Sequence, residues 1–269
     1  MAPEQPTLQT ITTRTADRIH TITLNRPKAL NACSNQLTAD LADALRLACG
    51  ERDIRVIIIT GADRAFCAGQ DLVELQQRYG TGEIPDLGRD LEDRYHPIVT
   101  LIRDSEKPVL AAVNGVAAGA GFSLALACDL RIASEHASFI QAFINVGLVP
   151  DAGSTWHLPR LIGYANAFEL CCTGRTVSAE EALHLGIVSR VVPADRLMPE
   201  TESLARNLAT RPPPAISLTK RLLNQSAHNP LSAQLAAEAA TQCALCQSGD
   251  HLEGVSAFLE KRSPTFTGQ

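Results

Sequence analysis

Apolar residues recur along the chain in two rhythms. From Ile19 to Leu24 they fall on alternate positions, which predicts a half-buried strand, while residues 37–49 carry them at helical spacing. Residues 55–60, with Val56-Ile57-Ile58-Ile59, are β-branched and predict a buried strand. A second round follows: helical spacing over 87–104, a strand at 108–113, a helix of small residues at 119–128 and a strand at 130–133. Strands alternating with helices predict an α/β fold with its sheet in the N-terminal two-thirds. From Ser178 onward the pattern is helical, over 179–184, 198–210, 216–225 and 231–247, interrupted at Pro212-Pro213-Pro214, which stops a helix. The expected organisation is an α/β core over 1–195 and a helical segment over 196–269, Ala-rich and amphipathic enough to pack on a partner subunit. Residues 80–88, with Pro85, predict a loop.

Composition narrows the class. With 269 residues, 45% of them hydrophobic, the chain can bury a large core, which excludes a disordered chain and a small disulfide scaffold. The longest apolar runs, at 56–59 and 109–113, fall far short of the roughly 20 residues that cross a bilayer, so no membrane association is expected. Met1 to Arg14 lacks a basic stretch followed by an apolar one, so no secretory signal is read there and a cytoplasmic location is expected. Most of the eight cysteines sit in apolar runs, as free thiols do in a reducing compartment. A net charge of -5 without a basic stripe argues against a nucleic-acid partner.

One local pattern occurs twice. Val56-Ile57-Ile58-Ile59-Thr60-Gly61 leads into Ala65-Phe66-Cys67-Ala68-Gly69-Gln70-Asp71-Leu72, and Val109-Leu110-Ala111-Ala112-Val113-Asn114-Gly115 leads into Val116-Ala117-Ala118-Gly119-Ala120-Gly121. Each buried strand ends in a turn of residues too small to obstruct a ligand, and the N–H groups opening the next helix are unpaired at the positive end of its dipole. Two such amides converging on one point form an oxyanion hole. The residues alone leave open whether these glycines serve a ligand or only tight turns and close packing. Gly119-Ala120-Gly121 is not a dinucleotide fingerprint, because Leu124 stands where the third glycine belongs.

At these turns the sequence resembles the crotonase superfamily, the enoyl-CoA hydratase/isomerase family. The resemblance extends to Leu24-Asn25-Arg26-Pro27 with Leu30-Asn31, Cys128-Asp129-Leu130-Arg131-Ile132-Ala133, Gly147-Leu148-Val149-Pro150-Asp151-Ala152-Gly153, Glu253-Gly254-Val255 and Phe258-Leu259-Glu260-Lys261-Arg262, reaching from about residue 20 to the C-terminus. It implies a spiral of ββα units, oxyanion-hole amides at Ala68 and Ala120 holding the thioester carbonyl of an acyl-CoA, and a homotrimer or a hexamer built as a dimer of trimers. It also implies CoA binding around Lys28, Ala29, Leu30, Ala68, Gln70, Asp71 and Leu72, with Phe258 and Lys261 reaching a CoA site of the same or a neighbouring subunit. Coenzyme A arrives as part of the substrate, and no resident cofactor or metal is expected.

Members of the family differ in their acid and base groups. Hydratases place two glutamates where this chain has Ser123 and Phe143, and neither residue can hold water and deliver a proton as paired carboxylates do. Asp151 follows the apolar run 146–150, which suits a carboxylate projecting into a partly dry pocket, although by themselves the residues favour a helix N-cap. The stretch Gly147 to Trp156 with Leu158-Pro159-Arg160 is similar to the ring-1,2-epoxyphenylacetyl-CoA isomerase branch of phenylacetate degradation, which implies that Asp151 is the catalytic base; Ser154 departs from the glycine usual there. The implied activity is an acyl-CoA isomerase using one carboxylate. The alternatives are an enoyl-CoA hydratase (a lyase) or a Δ3,Δ2-enoyl-CoA isomerase of fatty-acid metabolism, and a non-catalytic binder of acyl-CoA.

The remaining candidates point to structure. Cys243-Ala244-Leu245-Cys246 lacks further ligands for zinc, and His136, His157 and His184 are isolated. Trp156 is expected to pack, Asp129 to make a structural hydrogen bond, and Asp104, Glu106 and Lys107 to form a solvated turn.

Overall fold

The computed structural model describes residues 8–80, 82 and 84–269, so the loop expected at 80–88 lies outside the described residues at 81 and 83. The described chain begins with β1 (Ile11–Ala16) paired antiparallel with β2 (Ile19–Leu24), then α1 (Asn35–Gly50). Next come β3 (Val56–Gly61), β4 (Ala65–Cys67), α2 (Leu72–Tyr79), α3 (Leu87–Asp90) and α4 (His96–Asp104), with a π-helical turn at Leu91–Tyr95 joining the last two. A second round brings β5 (Val109–Val113), β6 (Val116–Ala118) and α5 (Ala120–Ala127), and a third brings β7 (Leu130–Ser134), β8 (Ser138–Ile140), α6 (Ser154–Ile162) and α7 (Tyr164–Thr173). The chain ends with β9 (Thr176–Ser178), α8 (Ala179–Leu185), β10 (Arg190–Val192), α9 (Leu197–Ala209), α10 (Pro213–Ser226), α11 (Leu231–Leu245) and α12 (Gly249–Glu260).

Each round sends its first strand to a six-stranded sheet, ordered β1-β2-β3-β5-β7-β10, and its second to a four-stranded sheet, ordered β4-β6-β8-β9. The pairs β2–β3, β3–β5, β5–β7 and β7–β10 are parallel, as are β4–β6 and β6–β8. This is the spiral of ββα units that the resemblance implies. The apolar runs are unbroken because the larger sheet is buried on both faces: Ile57 and Ile59 join the main core with α1, α4 and α5, while Val56 and Ile58 pack with Leu197, Ala205 and Ala209 of α9. Every residue of α5 is buried, so it carries no polar face.

The strands of the smaller sheet escape the sequence pattern because all four, β4, β6, β8 and β9, span three residues each, too few to display alternation. The helix α12 also lies beyond the predicted helices. The three prolines separate α9 from α10, but Pro213 is itself the first residue of α10, where its missing N–H costs nothing. Lys107 is more than a solvated turn residue: its ammonium donates to the carbonyls of Ala48 and Glu51 at the C-terminus of α1. Asp129 makes the expected structural bonds, accepting from the Val109 N–H and from Lys220 Nζ, each at 2.8 Å. No helix of the described residues is long and apolar enough to cross a membrane.

Candidate active site

The site is built where β4 and β6 of the smaller sheet end side by side. Beyond β4, the chain from Ala68 to Asp71 is laced to the turn at 26–33: the Cys33 N–H donates to the Gly69 carbonyl (2.7 Å), and the Asp71 N–H donates to the Cys33 carbonyl (3.1 Å). That turn is shaped by Leu30 and Asn31, both with positive φ, and is locked by the fully buried Asn31 amide, which donates to the carbonyls of Ala62 and Ala65. The turn that carries Lys28, Ala29 and Leu30 is thus tied to the 68–71 segment through Leu30, Cys33 and Arg26. The Asp71 carboxylate is committed to architecture, capping α2 through the Val73 and Glu74 N–H groups and accepting from Arg26 Nη2 at 2.8 Å. Those bonds hold its carboxyl below the usual carboxylate range.

The amides of this turn differ from the expected arrangement. The Ala68 N–H donates to the Leu30 carbonyl at 3.0 Å, so Ala68 does not offer a free donor. The Gly69 N–H is turned toward the Cys67 sulfur and helps to lower its pKa, and the Asp71 N–H is used as described above. That leaves Gln70, whose N–H has no partner among the described residues. The reason is local geometry: Gly69 has φ +93, a conformation that suits glycine, and it turns the following peptide away from the direction of its predecessors. Two residues separate the amide expected from sequence and the one the backbone frees.

Across from this turn, Ala120 is the first residue of α5, so its N–H has no carbonyl within the helix to bond. The two turns touch. A Cβ placed on Gly69 would lie 2.7 Å from the Ala118 carbonyl oxygen and 3.5 Å from the Ala120 nitrogen, and one on Gly121 would lie 2.1 Å from the Cys67 carbonyl oxygen. Glycine is required here for close approach as well as for turning.

The two hydratase positions are closed to acid chemistry. Ser123 is fully buried, its hydroxyl paired with the Ser154 hydroxyl at 2.8 Å and with the Gly119 carbonyl at 3.2 Å. Gln141 Nε2 donates to the same Ser154 oxygen at 3.1 Å, so the serine that departs from the family pattern joins three buried side chains into one knot. Phe143 is buried, and its ring lies 3.8 Å from where a Gly119 Cβ would stand, packed against the turn that opens α5. Replacing Ser154 with alanine leaves the Gln141 amide without that acceptor, and unfolding in urea is expected to show a loss of about 1–3 kcal/mol; a change within error would mean the knot carries no stability.

Asp151 does not cap a helix. The N-cap of α6 is Gly153 with φ +86, and the Asp151 carboxyl lies half-buried with Oδ1 bonded to nothing among the described residues. Burial alone pushes its pKa up to about 6. The Asp151 carbonyl accepts from the Ser154 N–H at 2.9 Å, which ties its turn to the knot above α5. On the other side, Tyr95 donates its hydroxyl proton to Gln70 Oε1, and the Asp151 charge is among the influences that raise the Tyr95 pKa, after burial. Tyr95 thus touches Gln70 and feels the Asp151 charge, which links the amide turn to the Asp151 turn, and neither the Gln70 amide nor Tyr95 carries a sequence motif that announces it.

Other candidates fall outside the cleft. Phe258 is 81% exposed on α12 and lines a groove of about 440 Å³ with Pro212, Leu245 and Phe266, while Lys261 closes α12 with φ +56. His157 is buried edge-on to Trp156 at 4.7 Å, and burial, reinforced by three arginines, holds it neutral with a pKa of about 3. Arg160 covers the Trp156 ring at 4.2 Å. Cys243 and Cys246 are exposed thiols at the end of α11.

The model of the enoyl-CoA hydratase/isomerase family matches residues 14–269. The chain is 45% identical over 251 residues to a 1,2-epoxyphenylacetyl-CoA isomerase of Escherichia coli K12, covering 93% of this chain and 95% of that protein. It is 44% identical over 260 residues to a probable enoyl-CoA hydratase of Rhodobacter capsulatus, covering 97% and 98% of the two chains. A crystal structure of an enoyl-CoA hydratase from Bacillus anthracis superposes with a TM-score of 0.91 at 36% identity, covering 97% of this chain and 100% of that one. With its two abutting amide turns and this match over nearly its whole length, the chain belongs to the enoyl-CoA hydratase/isomerase family, the crotonase superfamily.

Proposed function

We propose that the protein is an acyl-CoA isomerase with Asp151 as its single acid–base group and the Gln70 and Ala120 amides as its oxyanion hole. The thioester carbonyl would accept from both N–H groups, which stabilises the enolate formed when the Asp151 carboxylate takes a proton from the carbon next to the carbonyl. The C–H electron pair moves into the enolate, and the proton now on Asp151 returns to a carbon further along the conjugated system, so a double bond moves and no water is added. The name of the Escherichia coli relative supports ring-1,2-epoxyphenylacetyl-CoA as substrate, where enolate formation assists opening of the epoxide. Lys28, Ala29, Leu30, Gln70 and Leu72 are the expected CoA contacts. The exposed Leu231, Leu235, Leu252 and Leu259 of α11 and α12 suit packing against further copies in a trimer or hexamer.

The observation that carries this reading is the unpartnered, partly buried Asp151 carboxyl, with serine and phenylalanine at the two hydratase positions. The hydratase names of other relatives support the second reading, and crotonyl-CoA separates the two. The enzyme is expected to leave the conjugated-enone absorbance of crotonyl-CoA unchanged while generating that absorbance from a 3-enoyl-CoA. Rapid loss of the crotonyl-CoA signal would show hydration and overturn the isomerase reading.

A further inference from the structure

We propose that Tyr95 is a positioning residue for the oxyanion hole, acting through the side chain of Gln70; this rests on the isomerase reading above. Four observations converge on it. Tyr95 is 7% exposed, and its hydroxyl donates to Gln70 Oε1, so the side chain of the residue whose N–H faces the cleft is held from across the pocket. Gln70 has no other anchor of its own on this turn, because the backbone bonds that fix the loop belong to Ala68, Gly69 and Asp71. The Arg94 guanidinium lies 5.4 Å from the centre of the Tyr95 ring and steadies it.

The helix itself is built to deliver this contact. The π-helical turn at Leu91–Tyr95 places one extra residue in the turn, which rotates everything after it by about 100° relative to an uninterrupted α-helix. Tyr95 closes this turn and shares the buried face with Ile98 and Ile102 beyond it. An uninterrupted helix from Leu87 would turn that ring away from Gln70. A rare backbone feature thus aims one phenol at the loop that carries the hole.

Tyr95 also sits between the two halves of the site, with the Asp151 charge adding to the cost of its ionisation after burial and Cys33. The phenol stays protonated and keeps donating, so Gln70 Oε1 cannot turn inward and compete as an acceptor for its own amide or for the substrate. Loss of the hydroxyl frees the Gln70 side chain and loosens the peptide that polarises the thioester.

The test uses the full-length enzyme with 2,4-hexadienoyl-CoA, whose absorbance moves to the red as its carbonyl is polarised on binding, together with isomerisation of a 3-enoyl-CoA. For Tyr95→Phe the red shift is expected to shrink and kcat to fall about ten- to a hundredfold, the scale of a misplaced catalytic group, with KM changed less than about threefold. Gln70→Leu keeps the amide and removes the acceptor, and it should reproduce both effects; the double variant should lose no more than either single one. Asp151→Asn keeps the full red shift and loses turnover. A folded Tyr95→Phe or Gln70→Leu enzyme with the wild-type red shift and kcat overturns the role of Tyr95. If wild-type enzyme itself shows neither red shift nor isomerisation, the reading of the site fails instead, so the two failures are distinct.

Discussion

Asp151→Asn is expected to lower kcat for acyl-CoA isomerisation by about a hundred- to ten-thousandfold while leaving thioester binding within a few-fold, because it removes the proton carrier and leaves both amides in place. The kcat/KM of the wild-type enzyme should rise with pH through an acidic limb centred near 6, the pH at which the buried carboxyl becomes a base, and that limb should vanish in the variant. Stability should move the opposite way. The folded-state pKa, about 6, is raised above the ordinary 3.8, so the stability this carboxyl contributes is fully present below about pH 4 and is lost as pH rises through 6. A shift of that size costs the ionised protein about 3 kcal/mol. The asparagine enzyme should therefore be more stable than wild type in urea at pH 8 and equal to it at pH 4. A variant that loses stability at pH 8 would mean that the carboxylate is held by a partner, against the orphaned Oδ1.

Gly69→Ala should be the next most damaging substitution. Its Cβ would stand 2.7 Å from the Ala118 carbonyl oxygen, a backbone atom that cannot swing aside, and 3.5 Å from the Ala120 nitrogen. The methyl group thus wedges the two amide turns apart at the point where they must converge, and the φ of +93 adds strain of about 1–3 kcal/mol. Turnover is expected to fall by about a hundredfold or more, the cost of displacing a catalytic group by roughly an ångström. Gly186→Ala separates the two effects. Its φ of +83 imposes similar strain, but its Cβ would meet only the Leu161 carbonyl oxygen at 3.7 Å, so stability should fall with kcat unchanged. Equal kcat for Gly69→Ala and wild type, measured with saturating 3-enoyl-CoA, would remove the convergence of the two turns from the account.

Much of the fold is legible in the residues because the larger sheet is buried on both faces. That burial leaves β3 and β5 as unbroken apolar runs, and α1 keeps the period of a helix with one wet side. The smaller sheet is not legible, since strands of three residues such as β4 and β6 carry no countable alternation. At the site, Asp151 stands out in the sequence only through its family resemblance, because a carboxylate before a helix reads first as an N-cap until the structure puts Gly153 in that place. The free amide of the proposed hole is legible to within two residues: the glycine turn is visible, but which N–H it frees depends on the Ala68–Leu30 bond and on the sign of φ at Gly69. Tyr95 is invisible from sequence because its placement depends on one extra residue in a helical turn, which no apolar spacing encodes. Ser123 and Phe143 show the reverse, since the absence of carboxylates is plain in the residues and the structure adds only how the space is filled.

The most direct test follows a 3-enoyl-CoA thioester through wild-type and Asp151→Asn enzymes in deuterated buffer, with products read by mass spectrometry and NMR. The wild-type enzyme is expected to give a product with no water added, its double bond moved and its mass raised only by solvent deuterium taken up at the flanking carbons, and the variant no such product. A product heavier by one water, or equal turnover by the two enzymes, would contradict this.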